Sequence, residues 1–173
     1  MTFEVLYETF KQQVYNLALH YAGNTSDAAE ITQDVFVAVY HNLGRFRKDA
    51  GAGTWIYRIT INKSLDYLKA RKRKKRFAFL VSLSDSPEAE IRQTQTTFDH
   101  PGVALEQREA TAHLFALINK LPDNQRTALI LTKIEHKSQA EAADIMNLSP
   151  KAVESLVQRA KTFLSQKLNL TEG

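Results

Sequence analysis

The chain has 173 residues with a formal net charge of +4, and at 43% hydrophobic and 24% charged it can fold as one globular domain or two small ones. It contains no cysteine, which excludes a disulfide framework, a thiol nucleophile and a cysteine-based zinc site, and which fits a reducing compartment. No apolar run reaches membrane-spanning length, and Glu4, Glu8 and Lys11 interrupt the first apolar pattern, so neither a signal peptide nor membrane insertion is expected.

Two amphipathic helices are predicted at the start of the chain. Apolar residues recur at helical spacing over residues 3–21, and Gly23 follows as a stop signal. Asp27 and Glu30 have the spacing of a capping box, so the second helix is expected to begin at Ser26 or Asp27. The outward side chains of this helix form an acidic, polar face, for which ordinary solubility is the alternative to binding. They are Asp27, Glu30, Gln33 and Asp34.

A glycine-containing loop over residues 45–53 precedes a third predicted helix. Gly51 and Gly53 allow unusual backbone angles and the close approach of a partner. The loop lacks the Gly-Lys-Ser/Thr of a phosphate loop, and no strand precedes it. Thr54 is expected to cap the helix, which is predicted to run to Arg76. Trp55 is a candidate core position. Several of the residues Tyr57, Arg58, Asn62 and Asp66 are expected to face outward.

The end of this third helix is strongly basic. Seven of the eight residues from 69 to 76 are Lys or Arg. A charge run of this kind is often only a solvated surface. Its place after a helix with Trp, Tyr, Arg and Asn favours nucleic acid, because cations bind phosphates while aromatic rings and Asn contact unpaired bases. The basic residues are Lys69, Arg71, Lys72, Arg73, Lys74, Lys75 and Arg76.

The middle of the chain divides it into two units. Residues 77–104 break the helical pattern with Ser, Thr, Gln, Pro and Gly, and are predicted to be a linker. The sequence therefore predicts an all-α protein, with one small helical domain over residues 1–76 and another over residues 105–173. Because each domain is near the size at which a single core becomes marginal, we expect them to dock on each other or on a partner.

The last domain has the pattern of a helix-turn-helix. Ser138 is a good cap for the first helix of the pair, and Asn147 tolerates the left-handed conformation of a sharp turn, which Leu148 is expected to plug. Ser149 and Pro150 are typical first residues of the second helix. A plain three-helix bundle is the alternative, but the polar face of the second helix favours the DNA major groove. That face contains Ser149, Lys151, Glu154, Ser155, Gln158 and Arg159.

Taken together, these segments resemble the extracytoplasmic-function group of the sigma-70 family of RNA polymerase subunits. The resemblance is carried by DAAEITQDVF at residues 27–36, TWIYRI at 54–59 with Asn62 and Asp66, and LPDNQR at 121–126. The segments at 142–146 and 153–160 continue it in the same order. The first domain is thereby identified as sigma domain 2 and the last as sigma domain 4, and the absence of a middle domain fits this group.

The resemblance implies a role for each surface. The acidic face of the second helix would bind the clamp of the largest subunit of core RNA polymerase, and the flap of the second-largest subunit is a further expected partner. Arg47, Lys48, Gly51 and Gly53, with Trp55, Tyr57, Arg58, Asn62 and Asp66 of the third helix, would hold unpaired bases of the −10 promoter element. The basic run would hold phosphates, and the recognition helix would read the −35 element. An anti-sigma factor, a cytoplasmic location and no cofactor are also implied.

Two other classes of function remain as alternatives. A free-standing helix-turn-helix regulator could use the same last domain, and it should dimerise and bind duplex operator DNA alone. The first domain shows no ligand pocket signature and no phosphoacceptor context, which argues against this alternative. An enzyme is less favoured, because the five histidines are scattered and form no metal-ligand spacing or catalytic triad.

Overall fold

The computed structural model describes residues 1–46, 51–84 and 107–171, and every regular element within those ranges is helical. The first bundle contains α1 (Phe3–Ala22), α2 (Thr25–Asn42) and α3 (Ala52–Ser84), with a short 3-10 turn at Leu43–Arg45. The second contains α4 (Arg108–Ile118), α5 (Asp123–Leu129), α6 (Gln139–Met146) and α7 (Pro150–Thr171), with a π-helical turn at Ile130–Ile134. None of the described helices is both long and apolar enough to cross a membrane.

The turn between α1 and α2 differs in detail from its sequence prediction. Gly23 ends α1 as predicted, with φ 76° and its N–H bonded to the carbonyl of Leu19. The cap of α2 is Asn24, whose side-chain oxygen accepts from the backbone N–H of Asp27 at 2.9 Å. The predicted capping box of Asp27 with Glu30 is therefore wrong, because the short Asn24 carboxamide already satisfies that N–H and moves the start of the helix to Thr25.

Helix α3 is longer than predicted at both ends. It begins at Ala52, so Thr54 lies inside the helix and is not its cap. It continues to Ser84, so residues 77–84 are helical and the prediction that the pattern breaks at Phe77 is wrong. No Gly or Pro occurs between Thr54 and Ser84 to stop the helix. The apolar side chains of this extension, including Phe77 and Leu80, are exposed.

The helix-turn-helix is built as predicted, apart from Leu148. Ser138 and Glu141 form a reciprocal capping box at the start of α6. Asn147 adopts the left-handed conformation with φ 55°, and the hydroxyl of Ser149 accepts from the backbone N–H of Ala152 at 3.1 Å. Leu148 is 38% exposed, so it does not plug the turn. The turn is held by its backbone and caps rather than by a buried side chain.

The two bundles pack against each other, as the size of each predicted. One buried apolar cluster contains Leu17, Tyr21, Tyr57, Ile61 and Leu68 of the first bundle. It continues without a break into Ile118, Leu121, Ala128, Leu131 and Ile145 of the second bundle. A separate cluster around Leu6, Val14, Ile31, Val35 and Ile56 fills the space between α1, α2 and α3. The second bundle therefore completes a core that the first bundle leaves open on one side.

Candidate functional site

The acidic face of α2 has three exposed members. Glu30, Gln33 and Asp34 all lie on the solvent side of the helix, while Ile31 and Val35 between them are fully buried. The helical period places these polar side chains on one surface because the apolar positions of α2 face α1 and α3. This surface is accessible in the structure.

Asp27 lies at the edge of this face but is engaged within the bundle. Its carboxylate accepts hydrogen bonds from Arg71 at 2.7 Å, from Tyr67 at 2.9 Å and from Asn24 at 3.0 Å. Partial burial raises the pKa of the Asp27 carboxyl, but the hydrogen bonds from Asn24, Tyr67 and Arg71 outweigh it and leave the pKa below its ordinary value. Asp27 therefore ties the start of α2 to α3, which the spacing of the sequence did not indicate.

The loop before α3 is only partly described. Arg47 and Lys48 lie outside the described residues. Gly51 is exposed, with nothing within 4 Å of the position that a Cβ would take. At Gly53 a Cβ would lie 3.5 Å from the ring of Phe10, an ordinary contact. The described glycines therefore show no close approach that only glycine permits.

Three of the predicted −10 residues in α3 are exposed or partly exposed. Trp55 is partly buried, and its ring centroid lies 4.7 Å from that of Phe46 in a tilted pair. Asn62 and Asp66 are exposed one helical turn apart. An indole braced by a second aromatic ring, followed by exposed amide and carboxylate groups, is a surface that can stack on a base and hydrogen-bond to its edge.

Tyr57 is directed away from that surface, into the second bundle. It is 6% exposed, and its hydroxyl donates to Glu135 at 3.0 Å. The ammonium group of Lys137 lies 4.9 Å from the centroid of the Tyr57 ring. Burial, followed by the charge of Glu135, raises the pKa of Tyr57 above its ordinary value, so the phenol stays protonated.

Arg58, the next residue, also points to the second bundle. Its guanidinium donates to the backbone carbonyl of Ile145 at 3.1 Å and also to the carbonyl of Asp144. Both carbonyls lie at the end of α6, where the backbone carbonyls carry partial negative charge. Tyr57 and Arg58 are thus gathered at the contact between the bundles, and Asn62 lines the same cavity there as Arg58.

Glu135 is the polar centre of that contact. It accepts from Tyr57, and the Nε2 of His20 lies 3.1 Å from its other carboxylate oxygen. Burial raises the pKa of Glu135, but hydrogen bonds from His20 and Tyr57, with the charges of His20 and Lys137, leave it below its ordinary value. The sequence does not indicate that Glu135 meets Tyr57, since the two residues are 78 positions apart in the chain.

The basic run of residues 69–76 contains two cations that are paired with carboxylates and five that are exposed to solvent. Arg71 is bonded to Asp27, and the Nζ of Lys69 lies 3.3 Å from a carboxylate oxygen of Asp123 in the second bundle. The remaining members lie on the exposed part of α3 beyond the core, and they are Lys72, Arg73, Lys74, Lys75 and Arg76. Five consecutive exposed cations on one rigid helix suit sequence-independent phosphate contacts.

The outer face of α7 is accessible throughout its first half. Val153, Val157 and Ala160 are buried against α5 and α6, which turns the opposite side of the helix to solvent. All six residues predicted for the major groove are exposed, and they are Ser149, Lys151, Glu154, Ser155, Gln158 and Arg159. Several long or polar side chains on one helix at the exit of a tight turn form the geometry that enters a major groove.

Two further features of the second bundle were not anticipated from the sequence. Arg126 is buried, and its guanidinium donates to the carbonyls of Asn119 at 3.0 Å and Leu121 at 3.1 Å, which fixes the turn between α4 and α5. The second feature is an apolar groove of about 400 Å³, lined by residues of α4, α5, the π-helical turn and α7 together with His20. The LPDNQR motif at residues 121–126 drew attention to Arg126 in the sequence. It did not indicate that the side chain of Arg126 is buried and bonded to backbone carbonyls.

Two regions of the chain match models of known protein families. The family model of Sigma-70 region 2 matches residues 6–74, and that of Sigma-70, region 4 matches residues 114–164. The chain is 34% identical over 149 residues to the RNA polymerase sigma factor NccH of Alcaligenes xylosoxydans xylosoxydans, covering 85% of this chain and 76% of that protein. It is 28% identical over 168 residues to the ECF RNA polymerase sigma factor SigW of Bacillus subtilis, covering 96% and 88%.

Solved structures share the arrangement of helices. The structure of CnrH in complex with the cytosolic domain of CnrY matches with a TM-score of 0.65 and 27% identity, covering 97% of this chain and 88% of that one. The sigma factor RpoE from Bartonella quintana, solved in complex with the anti-sigma factor NepR, matches with a TM-score of 0.66 and 20% identity, which is a likeness of fold.

Proposed function

The chain belongs to the extracytoplasmic-function group of the sigma-70 family, and we propose that its role as a sigma factor is divided among four surfaces. An alternative sigma factor binds core RNA polymerase and directs promoter-specific initiation of transcription. The observation that supports our division most is that the polar residues of α2, α3 and α7 lie on separate accessible surfaces of the two matched regions. A free-standing helix-turn-helix regulator is not favoured, because such a protein needs only its DNA-binding domain and does not require a Sigma-70 region 2.

The first surface is the acidic face of α2, which we assign to the clamp of the largest polymerase subunit. Glu30, Gln33 and Asp34 supply exposed acceptors and two negative charges there. Asp27 supports this surface by holding α2 on α3, since its carboxylate is already bonded to Arg71. We place the flap of the second-largest subunit against the last domain, where the groove lined by Leu114, Phe115 and other apolar residues can receive an apolar side chain.

The second and third surfaces hold the −10 region of the promoter. Trp55, Asn62 and Asp66 are placed to contact unpaired bases, with Gly51 and Gly53 before them and Arg47 and Lys48 as candidates in the adjoining loop. Tyr57 and Arg58 belong to this surface only when the second bundle moves away from α3. The exposed cations of residues 72–76, with Lys69 and Arg71, would hold the phosphates of the neighbouring duplex.

The fourth surface is the outer face of α7, which we assign to the −35 element. Lys151 and Arg159 can contact phosphates or guanine, while Gln158, Glu154 and the two serines can read base edges. The protein would act without catalysis of its own, in the cytoplasm with the polymerase. The complex of the similar protein CnrH with the cytosolic domain of CnrY supports a protein partner for this chain too, and we propose an anti-sigma factor as that partner.

Binding to bacterial core RNA polymerase tests the first assignment. The wild-type chain should be retained by immobilised core enzyme and should produce promoter-dependent transcripts from a promoter library, which also supplies the −35 and −10 sequences. Asp34→Lys should weaken that binding about tenfold or more, because a cation replaces an exposed anion at the interface. Glu109→Lys is the matched control, since Glu109 is an exposed acid in the first turn of α4. Equal loss in both variants would remove the assignment of this face.

A further inference from the structure

The end of α3 continues past the last buried residue of the helix and carries two kinds of exposed side chain. Leu68 is that last buried residue, and every side chain from residue 69 to residue 83 is exposed or partly exposed. Residues 72–83 are termed the tip of α3. We propose that this tip binds the surface of an anionic phospholipid bilayer, with its cations against the headgroups and its apolar side chains in the boundary beneath them.

The apolar half of the tip presents large side chains to water. Phe77 is 70% exposed, Leu83 68%, Leu80 58% and Phe79 49%. Residues 77, 80 and 83 recur every three positions, so the helical period brings them to one side of α3. Exposed apolar side chains scattered singly are ordinary, but a contiguous group of them marks a surface that binds something.

The cationic half of the tip shares that side of the helix. Positions 73, 76, 77 and 80 have the i, i+3, i+4, i+7 spacing of a single helix face. Arg73 and Arg76 therefore lead directly into Phe77 and Leu80. No acidic residue occurs in the sequence between Asp66 and Asp85, so the positive charge is not offset along this part of the chain.

An anionic bilayer matches both halves of the tip. Lys and Arg are attracted to an anionic leaflet without any need for a partner group at a fixed position. Aromatic and leucine side chains on the same helix enter the boundary between headgroups and acyl chains. The apolar part, residues 77–83, is far shorter than the roughly 20 residues of a membrane-spanning helix. The tip would therefore lie on the bilayer and not cross it.

Other occupants match only one half. Phosphate contacts from duplex DNA use the cations but leave Phe77 and Leu80 in water. A second copy of the tip would cover the apolar side chains, but it would bring two runs of five cations together, which is unfavourable. A protein partner is less suited, since the buried centre of protein interfaces is depleted in charged residues and especially in Lys.

Lipid and promoter would compete for the same cations. Residues 72–76 are the cations that we assign to phosphates of the duplex beside the −10 element, so this consequence rests on the proposed function. A chain bound to a bilayer would then be withheld from the promoter, and promoter DNA on the polymerase would compete it away from the lipid. The lipid binding itself does not depend on that assignment.

Flotation of the full chain with vesicles tests the lipid binding. One set of vesicles contains equal parts of phosphatidylglycerol and phosphatidylcholine, and the other contains phosphatidylcholine alone. We expect binding to the anionic vesicles to be tighter by about tenfold or more, and to weaken as salt is added. Absence of binding to the anionic vesicles would overturn the proposal, as would equal binding to both sets.

The apolar contribution is tested by a pair of double variants. Phe77→Ser with Leu80→Ser should weaken binding to the anionic vesicles by about tenfold or more, because it removes the side chains that enter the boundary. Val5→Ser with Val37→Ser is the matched control, since these valines are 56% and 50% exposed in α1 and α2. All four residues are exposed, so the unfolding transition should stay in place. Equal vesicle binding by the two double variants would overturn the role of the apolar half.

The cationic contribution is tested in the same way. Arg73→Gln with Arg76→Gln should weaken vesicle binding by about tenfold or more, since each cation near an anionic leaflet contributes about fivefold. Lys151→Gln with Arg159→Gln removes the same charge from the exposed face of α7 and should leave vesicle binding close to wild type. Equal losses would show that net charge alone drives binding, which would overturn a site at the tip.

The position of the tip in the bilayer is measured with a single label. The chain has no cysteine, so Leu83→Cys supplies one thiol for an environment-sensitive dye. Lipids with a spin label on the acyl chain should quench this dye on anionic vesicles. A dye on Ser165→Cys, at an exposed position of α7, should not be quenched. Equal quenching at the two positions, or none at Leu83→Cys, would contradict burial of the tip in the lipid boundary.

The lipid site and the proposed phosphate role can fail separately. Transcription with core polymerase should fall in Arg73→Gln with Arg76→Gln and stay normal in Phe77→Ser with Leu80→Ser. If the arginine variant transcribes normally but loses vesicle binding, the phosphate role is wrong and the lipid site stands. If it loses transcription but the wild-type chain does not bind anionic vesicles, the phosphate role stands and the lipid site is wrong.

Discussion

The hydroxyl groups of Tyr21 and Thr127 lie 2.7 Å apart in a fully buried position, although 106 residues separate them in the chain. One hydroxyl comes from the last turn of α1 and the other from α5, so this hydrogen bond is one of several that join the two domains. Burial is the largest influence on the pKa of Tyr21 and raises it above the ordinary value, so the phenol is neutral at any physiological pH.

Removal of either hydroxyl should destabilise the protein. Tyr21→Phe and Thr127→Val each leave a buried partner without its hydrogen bond, and we expect each to cost about 1–3 kcal/mol of the free energy of unfolding. The double variant removes both polar groups, so its cost should be smaller than the sum of the two single costs. Urea denaturation of the four proteins measures this. Strictly additive costs would contradict the direct hydrogen bond.

Loss of charge should destabilise the protein at Asp27 and have little effect on stability at Asp34. Asp27→Asn should lower the free energy of unfolding by about 1.5–3 kcal/mol, since it weakens the hydrogen bonds from Arg71 and Tyr67. Asp34→Asn should stay within about 0.5 kcal/mol of wild type, because Asp34 is exposed. Thermal or urea unfolding compares them. Equal stability of the two variants would indicate that the bonds of Asp27 contribute nothing measurable.

Stability should fall in acid partly because of Glu135. Burial raises the pKa of its carboxyl in the folded protein, but hydrogen bonds from His20 and Tyr57 outweigh it and leave the pKa below its ordinary value. Such a group stabilises the fold fully above its unfolded pKa, and this contribution is lost as the pH falls through the lower folded pKa. Protonation removes the acceptor that Tyr57 and His20 use. Glu135→Gln should flatten this part of the pH dependence in urea titrations from neutral pH downward, and an unchanged slope would contradict the prediction.

The cap of α6 should contribute measurably to the helix-turn-helix. Ser138→Ala removes one half of the capping box with Glu141 and should cost about 1 kcal/mol. Ser165→Ala serves as the control, because Ser165 is exposed within α7 and alanine is a better helix former there. Denaturation of both variants would show whether only the first loses stability.

Arg159 should affect DNA without affecting the fold. Arg159→Ala should weaken binding to the −35 duplex by about 1–3 kcal/mol, because an exposed guanidinium on the outer face of α7 can bond to guanine or phosphate. The unfolding transition should stay at its wild-type position. Unchanged affinity for the duplex would remove Arg159 from the reading surface and leave the rest of α7 as candidates.

Local features of the chain could be predicted from the sequence because the groups that form them lie within about one helical turn of each other. Ser138 with Glu141 and the left-handed Asn147 each depend on residues no more than three or four positions away. The apolar stripe of α7 was readable for the same reason, and it determined which side of that helix faces solvent. The order of motifs identified the family, since each motif is a continuous segment.

Features that depend on distant segments were not readable. The carboxylate of Asp27 accepts from Tyr67 and Arg71 of α3, which lie 40 and 44 residues further along the chain. The extension of α3 to Ser84 was missed, since a basic run followed by apolar residues has no helical periodicity although it has good helix formers. The partners of Asp27 depended on the rest of the molecule, whereas the exposed extension of α3 follows from the helix propensity of its own residues.

The sequence by itself determined the order of the helices and which of their polar residues face solvent on α2 and α7, because hydrophobic periodicity and helix caps act over a few residues. Only the tertiary structure decided that Tyr57 and Arg58 turn toward the last domain while Asn62 and Asp66 stay exposed. The physical reason is that α3 has side chains on more than one side that are apolar or that, like those of Tyr57 and Arg58, combine an apolar part with a polar group. Which side is covered depends on where a second bundle, joined through a long segment, finds the greatest burial of apolar surface.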